Sequence, residues 1–205
     1  LFDLVGQDAY GVTVLTYHSM AMRLTGTSLR SMAERDETPD FDAIIQNAIN
    51  LLQGHGRLGD DDTDDLRDKL LQGYRYILVD EYQDIDAAQY ELISALTRRT
   101  LGDRDAKLTI MAVGDDDQNI YEFRKTSNEF IKRFQDDYQA KTEYLIENYR
   151  SSSHIITAAN QIIAENPDRL KQEHPIRINY ARQSNLPGGQ WEKLDNFAKG
   201  RVQIV

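Results

Sequence analysis

The chain has 205 residues, with 24 Lys and Arg against 34 Asp and Glu, a net charge of −10 and no cysteine. Its length can bury the core of one large domain or of two modest ones. No apolar run approaches the ~18 residues that cross a bilayer, so we expect no membrane partner. The absence of cysteine excludes a disulfide scaffold and thiol chemistry, and it suits a reducing cytoplasm.

The negative charge is concentrated in three acidic clusters, at residues 59–68, 80–86 and 115–117. Together they carry more negative charge than the whole chain, so the remainder is slightly basic. An acidic surface weakens non-specific binding to phosphates. It does not prevent single-strand binding that relies on stacked aromatic rings.

The first predicted elements are a strand, a helical segment and a second strand. Residues 12–16 (VTVLT) are β-branched and apolar, which predicts a short strand. Residues 20–72 combine amphipathic stretches with glycines and a run of aspartates, so we interpret them as a helical insertion with a polar loop. Residues 76–79 (YILV) are continuously apolar, which predicts a buried strand of a parallel sheet that ends at Asp80.

The next elements alternate in the same way. Asp86 and Gln89 have the spacing of a capping box, which predicts a helix start. Residues 108–113 (LTIMAV) predict a second buried strand. Thr126 and Glu129 repeat the capping-box spacing ahead of another helix.

A third run of elements follows. Residues 143–146 (EYLI) predict a strand, and a helix is predicted from Ser151 or Ser152 to just before Pro167. The last five residues, 201–205 (RVQIV), again have the composition of a strand. Strands that alternate with amphipathic helices predict an α/β fold, with a parallel sheet and crossover helices.

We place a domain boundary near residue 141, where a new strand–helix–strand run with a different charge begins.

Carboxylates follow both buried strands: Asp80 and Glu81 after one, and residues 115–117 after the other. Ligands of open parallel sheets bind outside the carboxyl ends of the strands, so we expect these acids to lie near one site. One or two carboxylates with water and phosphates hold magnesium in nucleotide sites. The alternative is that the acids only begin loops and cap helices.

Four motifs carry a resemblance to a known family. In chain order they are TYHS (16–19), DEYQD (80–84), VGDDDQNIYEFR (113–124) and ENYRS (147–151). They resemble motifs Ib, II, III and IV of the UvrD/Rep family of superfamily 1 DNA helicases. The resemblance implies a RecA-like fold with part of domain 1A, a reduced insertion in the position of domain 1B, and the start of domain 2A. The corresponding residues would be 1–19 with 73–140, then 20–72, then 141–205.

The resemblance also implies ATP and Mg²⁺ as cofactors. Asp80 would hold Mg²⁺ through water, and Glu81 would be the base that activates the hydrolytic water. Gln118 would sense the γ-phosphate and couple it to the DNA site. Arg150 would reach the γ-phosphate from the second motor domain as an arginine finger.

The remaining matches imply contacts with single-stranded DNA. Tyr121 and Phe123 match the aromatic pair on which bases stack, and Arg124 matches an arginine beside that site. The DNA backbone would be contacted by motif Ib, that is, by Thr16, Tyr17, His18 and Ser19. The chain departs from the family at Glu122 and Lys125, where glycine is usual, and this restricts the backbone of that loop.

Each assignment has a structural alternative. Aromatic residues spaced i, i+2 after a strand are often core packing, and an arginine at a strand-to-helix turn is often a surface ion pair. His18 is most simply a hydrogen-bonded structural residue. Tyr82 and Gln83 fit either the core or the coupling between the two sites.

The sequence contains no G-x-x-x-x-G-K-[ST] phosphate loop. In the family this loop lies upstream of motif Ib, so we interpret the chain as a fragment from the middle of a helicase and expect no ATPase activity from it alone. The intact protein would couple ATP hydrolysis to 3′–5′ translocation on single-stranded DNA and to unwinding at duplex junctions. The alternatives are a non-enzymatic helicase-like module that binds DNA or protein, and a helicase–nuclease subunit.

Overall fold

The computed structural model describes residues 3, 6–55, 69, 71–97, 108–119, 129–151, 153–167 and 169–178. Several sequence predictions lie outside the described residues. They are the aromatic pair Tyr121 and Phe123, Arg124, the substitutions Glu122 and Lys125, the cap at Thr126, the acidic run 59–68, and the strand 201–205. The described residues fall into two compact units. The first runs to Asp115 and resumes from Asn119 to Tyr138, and the second contains Asp116–Gln118 and the residues from Gln139 onward.

The first unit begins with a short 3-10 helix (Gly6–Gly11) and then helix α1 (Tyr17–Thr25). The side chain of Thr16 accepts a hydrogen bond from the Ser19 N–H, which satisfies one of the free donors at a helix start. The helix ends at Gly26, whose φ of 66° lies in the left-handed region that glycine adopts without strain.

Helices α2 (Leu29–Glu34) and α3 (Phe41–Leu52) follow, and each begins at a side-chain cap, Ser28 and Asp40 respectively. In α3 the apolar side chains recur with helical spacing and form one buried stripe. The buried residues of that stripe are Ile44, Ile45, Ala48, Ile49 and Leu52.

Strands β1 (Tyr76–Val79) and β2 (Thr109–Ala112) lie side by side in a parallel sheet. The two buried-strand predictions are therefore confirmed in position and direction, but not in burial on both faces. Tyr76 and Leu78 are 69% and 73% exposed, and Met111 is 56% exposed. Successive strand residues point to opposite faces, and only one face of this pair is covered by described residues.

Helix α4 (Ala87–Leu96) begins at the predicted capping box, which is confirmed. The Asp86 carboxylate accepts from the Gln89 N–H at 2.9 Å, and the Gln89 side-chain oxygen accepts from the Asp86 N–H at 3.4 Å. The core of the first unit lies among α1, α3 and α4. Its most buried members are Ala21, Ile45, Ala48, Ile49 and Leu92.

Helix α5 (Glu129–Tyr138) packs into the first unit through aromatic side chains. Phe130 and Phe134 are buried, and the Tyr138 hydroxyl lies 3.0 Å from the Thr97 hydroxyl near the end of α4. These contacts bring the helix that follows motif III onto the helix that follows motif II.

The second unit contains helix α6 (Ser153–Ile163), close to the predicted helix start. The Asn160 side chain donates to the Ile176 carbonyl oxygen at 2.7 Å, and this bond joins the helix to the segment that follows it in the chain. A parallel bridge joins Glu147 to Arg177.

The predicted strands at 12–16 and 143–146 are wrong. Residues 12–16 have no regular secondary structure and are exposed, with Val14 81% exposed, and no strand of the described chain pairs with them. In the second segment Leu145 is 88% exposed, and backbone pairing is confined to its last residue, Ile146, whose carbonyl oxygen accepts from the Arg177 N–H at the Glu147–Arg177 bridge. β-branched composition favours an extended backbone, but a strand also needs a partner for its N–H and C=O groups. No helix in the described part of the chain is long and apolar enough to cross a membrane.

Candidate functional site

The turn that follows β1 carries two adjacent carboxylates in an unusual backbone conformation. Glu81 has φ 50° and ψ 45°, the left-handed region that a residue with a side chain adopts at a cost of roughly 1–2 kcal/mol. Its N–H donates to the Asp80 carboxylate at 3.0 Å. Such a conformation persists where surrounding bonds determine it, and it concentrates at functional sites.

Backbone bonds from the neighbouring strand supply that support. The Val113 N–H donates to the Val79 carbonyl oxygen at 2.8 Å, and the Tyr82 N–H donates back to the Val113 carbonyl oxygen at 2.9 Å. The end of β2 thus holds both sides of the Asp80–Glu81 turn. The parallel pairing of β1 and β2 brings motif II and the beginning of motif III together, as the sequence predicts.

Gln83 joins the two motifs through its side chain. This residue is 2% exposed, and its amide nitrogen donates to Glu81 Oε2 at 2.6 Å. Its amide oxygen accepts from the Asp115 N–H at 2.9 Å. A carboxylate only accepts and a backbone N–H only donates, so these partners fix the orientation of the amide.

Gly114 makes the close approach of the two motifs possible. A Cβ at this position would lie 2.9 Å from Gln83 Oε1, 3.2 Å from the Gln83 nitrogen and 3.2 Å from Tyr82 Cβ. The first distance is shorter than real Cβ contacts, and the other two atoms belong to a buried turn. Glycine is therefore required by contact, not by its backbone angles.

Tyr82 belongs to the core of the first unit. It is 2% exposed, and its ring meets the Phe134 ring edge to face at a centroid distance of 5.1 Å. Of the two residues that the sequence left open, Tyr82 anchors the turn in the core, whereas Gln83 connects the two motifs.

The residues present fit a hydrated magnesium ion. Asp80 is exposed at the carboxyl end of β1, and one of its oxygens accepts the Glu81 N–H. The described residues contain no group of three or more His, Cys, Asp or Glu that could enclose a metal. A single carboxylate that is completed by water and phosphate oxygens is the arrangement that magnesium adopts in nucleotide sites.

Two of the three motif III acids, Asp116 and Asp117, lie in the second unit. Asp116–Gln118 form a 3-10 turn that belongs to the second unit. There the Asp117 carboxylate accepts two bonds from Arg169, each 2.8 Å long, and lies 3.3 Å from the Lys171 ammonium. These two cationic side chains neutralise the charge of Asp117.

The pKa of Asp117 reflects this environment. Burial by itself raises the pKa, but the hydrogen bond from Arg169 and the charge of Lys171 outweigh burial and hold it below its ordinary value of 3.8. Asp117 is therefore ionised throughout the neutral range.

Arg150 follows a turn organised by Asn148. The Asn148 side-chain oxygen accepts from the N–H groups of Arg150 and Ser151, at 3.0 and 2.7 Å. Arg150 is exposed, and its backbone is fixed just ahead of α6. This combination of a fixed backbone and an exposed guanidinium suits a residue that reaches toward an anion.

The motif Ib residues have structural partners within the first unit. The hydroxyls of Thr16 and Ser19 lie 2.9 Å apart at the start of α1. His18 meets the Phe41 ring edge to face at 5.2 Å. The Tyr17 side chain packs against the core, and burial first and the charge of Asp86 second raise the pKa of its hydroxyl.

Comparison with known proteins identifies the family. A family model described as the UvrD/REP helicase N-terminal domain matches residues 17–139. The chain belongs to the UvrD/Rep helicase family. It is 33% identical over 154 residues to a protein of Staphylococcus epidermidis named ATP-dependent DNA helicase PcrA, and equally to one of that name from Staphylococcus aureus. The match covers 75% of this chain and 19% of each relative, so the chain spans about a fifth of their length.

Two features of this UvrD/Rep chain were not identified from its sequence. The pairing of Asp117 with Arg169 and Lys171 joins residues about 50 positions apart, and no local pattern marks such a pair. The contact of Gly114 with Gln83 was also missed, although a glycine between a strand and an acidic turn is a signal for close backbone approach.

Proposed function

We propose that the full-length protein is an ATP-dependent DNA helicase and that this chain supplies motifs Ib to IV of its motor. The main support for the proposal is the backbone conformation and hydrogen bonding of Glu81, which follows the end of β1. It combines a left-handed backbone with a bond from the buried Gln83, and the same Gln83 bonds motif III. The relatives, which bear the name ATP-dependent DNA helicase, support the same activity.

In the proposed ATPase site, Asp80 would hold Mg²⁺ through water, and the bound ion would neutralise charge on the phosphate oxygens. Gln83 bonds Glu81 Oε2. Glu81 Oε1 is therefore the oxygen that takes the proton of the attacking water. Gln118 and Arg150 contact the γ-phosphate.

The proposed fold of the intact motor is RecA-like. Residues 1–19 and 73–140 belong to domain 1A, 20–72 occupy the position of domain 1B, and 141–205 begin domain 2A. This division is supported by the family match over residues 17–139 and by the order of the four motifs. A cytoplasmic location follows from the same assignment.

For DNA, we propose that Tyr121 and Phe123 stack on single-strand bases with Arg124 beside them, and that translocation runs 3′–5′ toward duplex junctions. In motif Ib, Thr16 and Ser19 stand at the start of α1, where the helix N–H groups favour a phosphate. His18 lies beside them, whereas Tyr17 contributes mainly to packing.

The test is Glu81→Gln in the full-length protein, with Glu91→Gln on the exposed side of α4 as its matched control. Removal of a base lowers single-stranded-DNA-stimulated kcat by about 10²-fold or more, while ATP affinity changes by less than about twofold. The control keeps wild-type kcat. A Glu81→Gln protein with wild-type kcat contradicts the motif assignment. A wild-type protein that binds DNA but never hydrolyses ATP is a non-enzymatic module instead.

A further inference from the structure

We infer that Asp117 is a positioning residue that holds Gln118 in place for its contact with the γ-phosphate, and that Arg169 and Lys171 are the partners through which it acts. The inference deepens the proposed function and rests on it, since the role of Gln118 is taken from there. Asp117 itself touches no nucleotide in this proposal.

The cluster is built as a rigid clamp. Both Asp117 oxygens accept from Arg169, Oδ1 from Nε and Oδ2 from Nη2, each at 2.8 Å. Such a fork-to-fork pair fixes the plane of the carboxylate as well as its distance. Lys171 adds a second cation at 3.3 Å, and the three side chains are only 7–13% exposed.

A second hydrogen bond, next to the Asp117–Arg169 pair, further fixes the orientation of the turn Asp116–Gln118. The Asp116 carboxylate accepts from the Leu170 N–H at 2.6 Å. Consecutive residues of the turn, Asp116 and Asp117, are therefore fixed by consecutive residues of the segment 169–171. Gln118 is the next residue along the chain, and it remains exposed.

The proposed domain 1A includes Gln118 by its position in the sequence, but the turn Asp116–Gln118 packs in the compact unit that also contains Arg150. Gln118 and Arg150 are both assigned to the γ-phosphate, so a fixed attachment of the motif III turn within that unit lets the two contacts form together. If the cluster served only to stabilise the fold, apolar side chains of similar volume would do as well, because burying an ion pair costs desolvation free energy. An orientation requirement explains why charged residues are used here.

The experiment measures kcat and KM for ATP in the full-length protein at saturating single-stranded DNA. Asp117→Asn is expected to lower kcat about tenfold or more, because small misplacement of a catalytic contact is costly, and to change the KM less than about threefold. In a Gln118→Ala background, Asp117→Asn is expected to lower kcat no further, since the contact that it positions is already gone. Additive losses in the double variant overturn the inference.

Two further variants keep the test decisive. Arg169→Met removes the bidentate partner of Asp117 but leaves Lys171 to neutralise it, so the variant is expected to fold. It is expected to show the same loss of kcat as Asp117→Asn, and no further loss in the Gln118→Ala background. Glu165→Gln removes an exposed carboxylate from the same unit and is expected to keep wild-type kcat. If Gln118→Ala is impaired while Asp117→Asn and Arg169→Met are normal, only the inference is wrong. If Gln118→Ala is itself normal, the proposed role of Gln118 fails and the inference fails with it.

Discussion

Gln83 binds the Glu81 carboxylate with one end of its amide, at 2.6 Å, and the backbone of motif III with the other, at 2.9 Å. The bond leaves Glu81 one oxygen that Gln83 does not occupy and restricts the rotation of its side chain. The Glu81 carboxylate can only accept a hydrogen bond, and the backbone N–H can only donate one. The buried Gln83 amide can therefore bridge these two partners in one orientation only. The position of the proposed base therefore depends on the end of β2.

Gln83→Leu tests this dependence in the full-length protein. Leucine keeps most of the side-chain volume but removes both bonds, so Glu81 is free to leave its position. We expect single-stranded-DNA-stimulated kcat to fall by roughly 10- to 100-fold, because orientation of a general base contributes on this scale. The measurement is steady-state ATPase, with Gln72→Leu at an exposed site as the control. A normal kcat in Gln83→Leu contradicts a positioning role for the amide.

Gly114→Ala tests the close contact between the motifs. The added methyl would meet Gln83 Oε1 at 2.9 Å and two atoms of the buried turn at 3.2 Å. Overpacking of this kind costs about 1–3 kcal/mol of unfolding free energy. Urea denaturation of the chain measures it. Gly11→Ala is the matched control, since its added Cβ meets nothing within 4 Å, and we expect it to stay within about 0.5 kcal/mol of the wild type.

The sequence predicts the local features of this fold better than its long-range ones. Residue spacing predicts the Asp86–Gln89 capping box, and continuous apolar runs predict the strands before Asp80 and Gly114; all are present. The strand at 12–16 failed because composition does not reveal whether a partner strand exists. The Asp117–Arg169 pair was not predictable, since its residues lie 52 positions apart and charged side chains have no periodic signature.

The candidate site divides in the same way. The sequence motifs indicate four residues of the candidate site: Asp80, Glu81, Gln118 and Arg150. They do not predict the backbone conformation of Glu81 or the hydrogen bonds that fix its side chain. The left-handed conformation of Glu81 follows from bonds made by Val113 and Gln83, which belong to packing across the sheet edge. Tertiary contacts of this kind decide backbone angles that local propensity disfavours.

Phe123→Ala in the full-length protein tests base stacking. A chain with a net charge of −10 has no broad positive field, so phosphate attraction is confined to local patches. Stacking contributes about 1–3 kcal/mol per base whatever the charge. We expect single-strand affinity to fall about tenfold with an unchanged salt slope, because no phosphate contact is lost. Titration of a fluorescent oligonucleotide at several salt concentrations measures both. If Tyr121→Ala and Phe123→Ala both bind normally, these rings are core packing.

The Asp117 clamp also makes stability depend on pH in a defined direction. Its pKa lies below the ordinary value of 3.8, because the Arg169 hydrogen bond and the Lys171 charge outweigh burial. A carboxyl group with a lowered folded-state pKa contributes stability that is complete above the unfolded-state pKa and is lost as the pH falls through the folded-state pKa.

We therefore expect Asp117→Asn to be less stable than the wild type by about 2 kcal/mol between roughly pH 5 and 7, the scale for a charged hydrogen bond in a mostly buried pair. Below about pH 4 the difference shrinks, because the unfolded wild-type chain takes up a proton at Asp117 before the folded chain does. Urea denaturation of both chains from pH 3 to 7 measures this difference, and Glu165→Gln controls for the loss of an exposed carboxylate. A difference that stays constant across this range means that Asp117 stabilises the turn by its shape and neutral bonds, not by its charge.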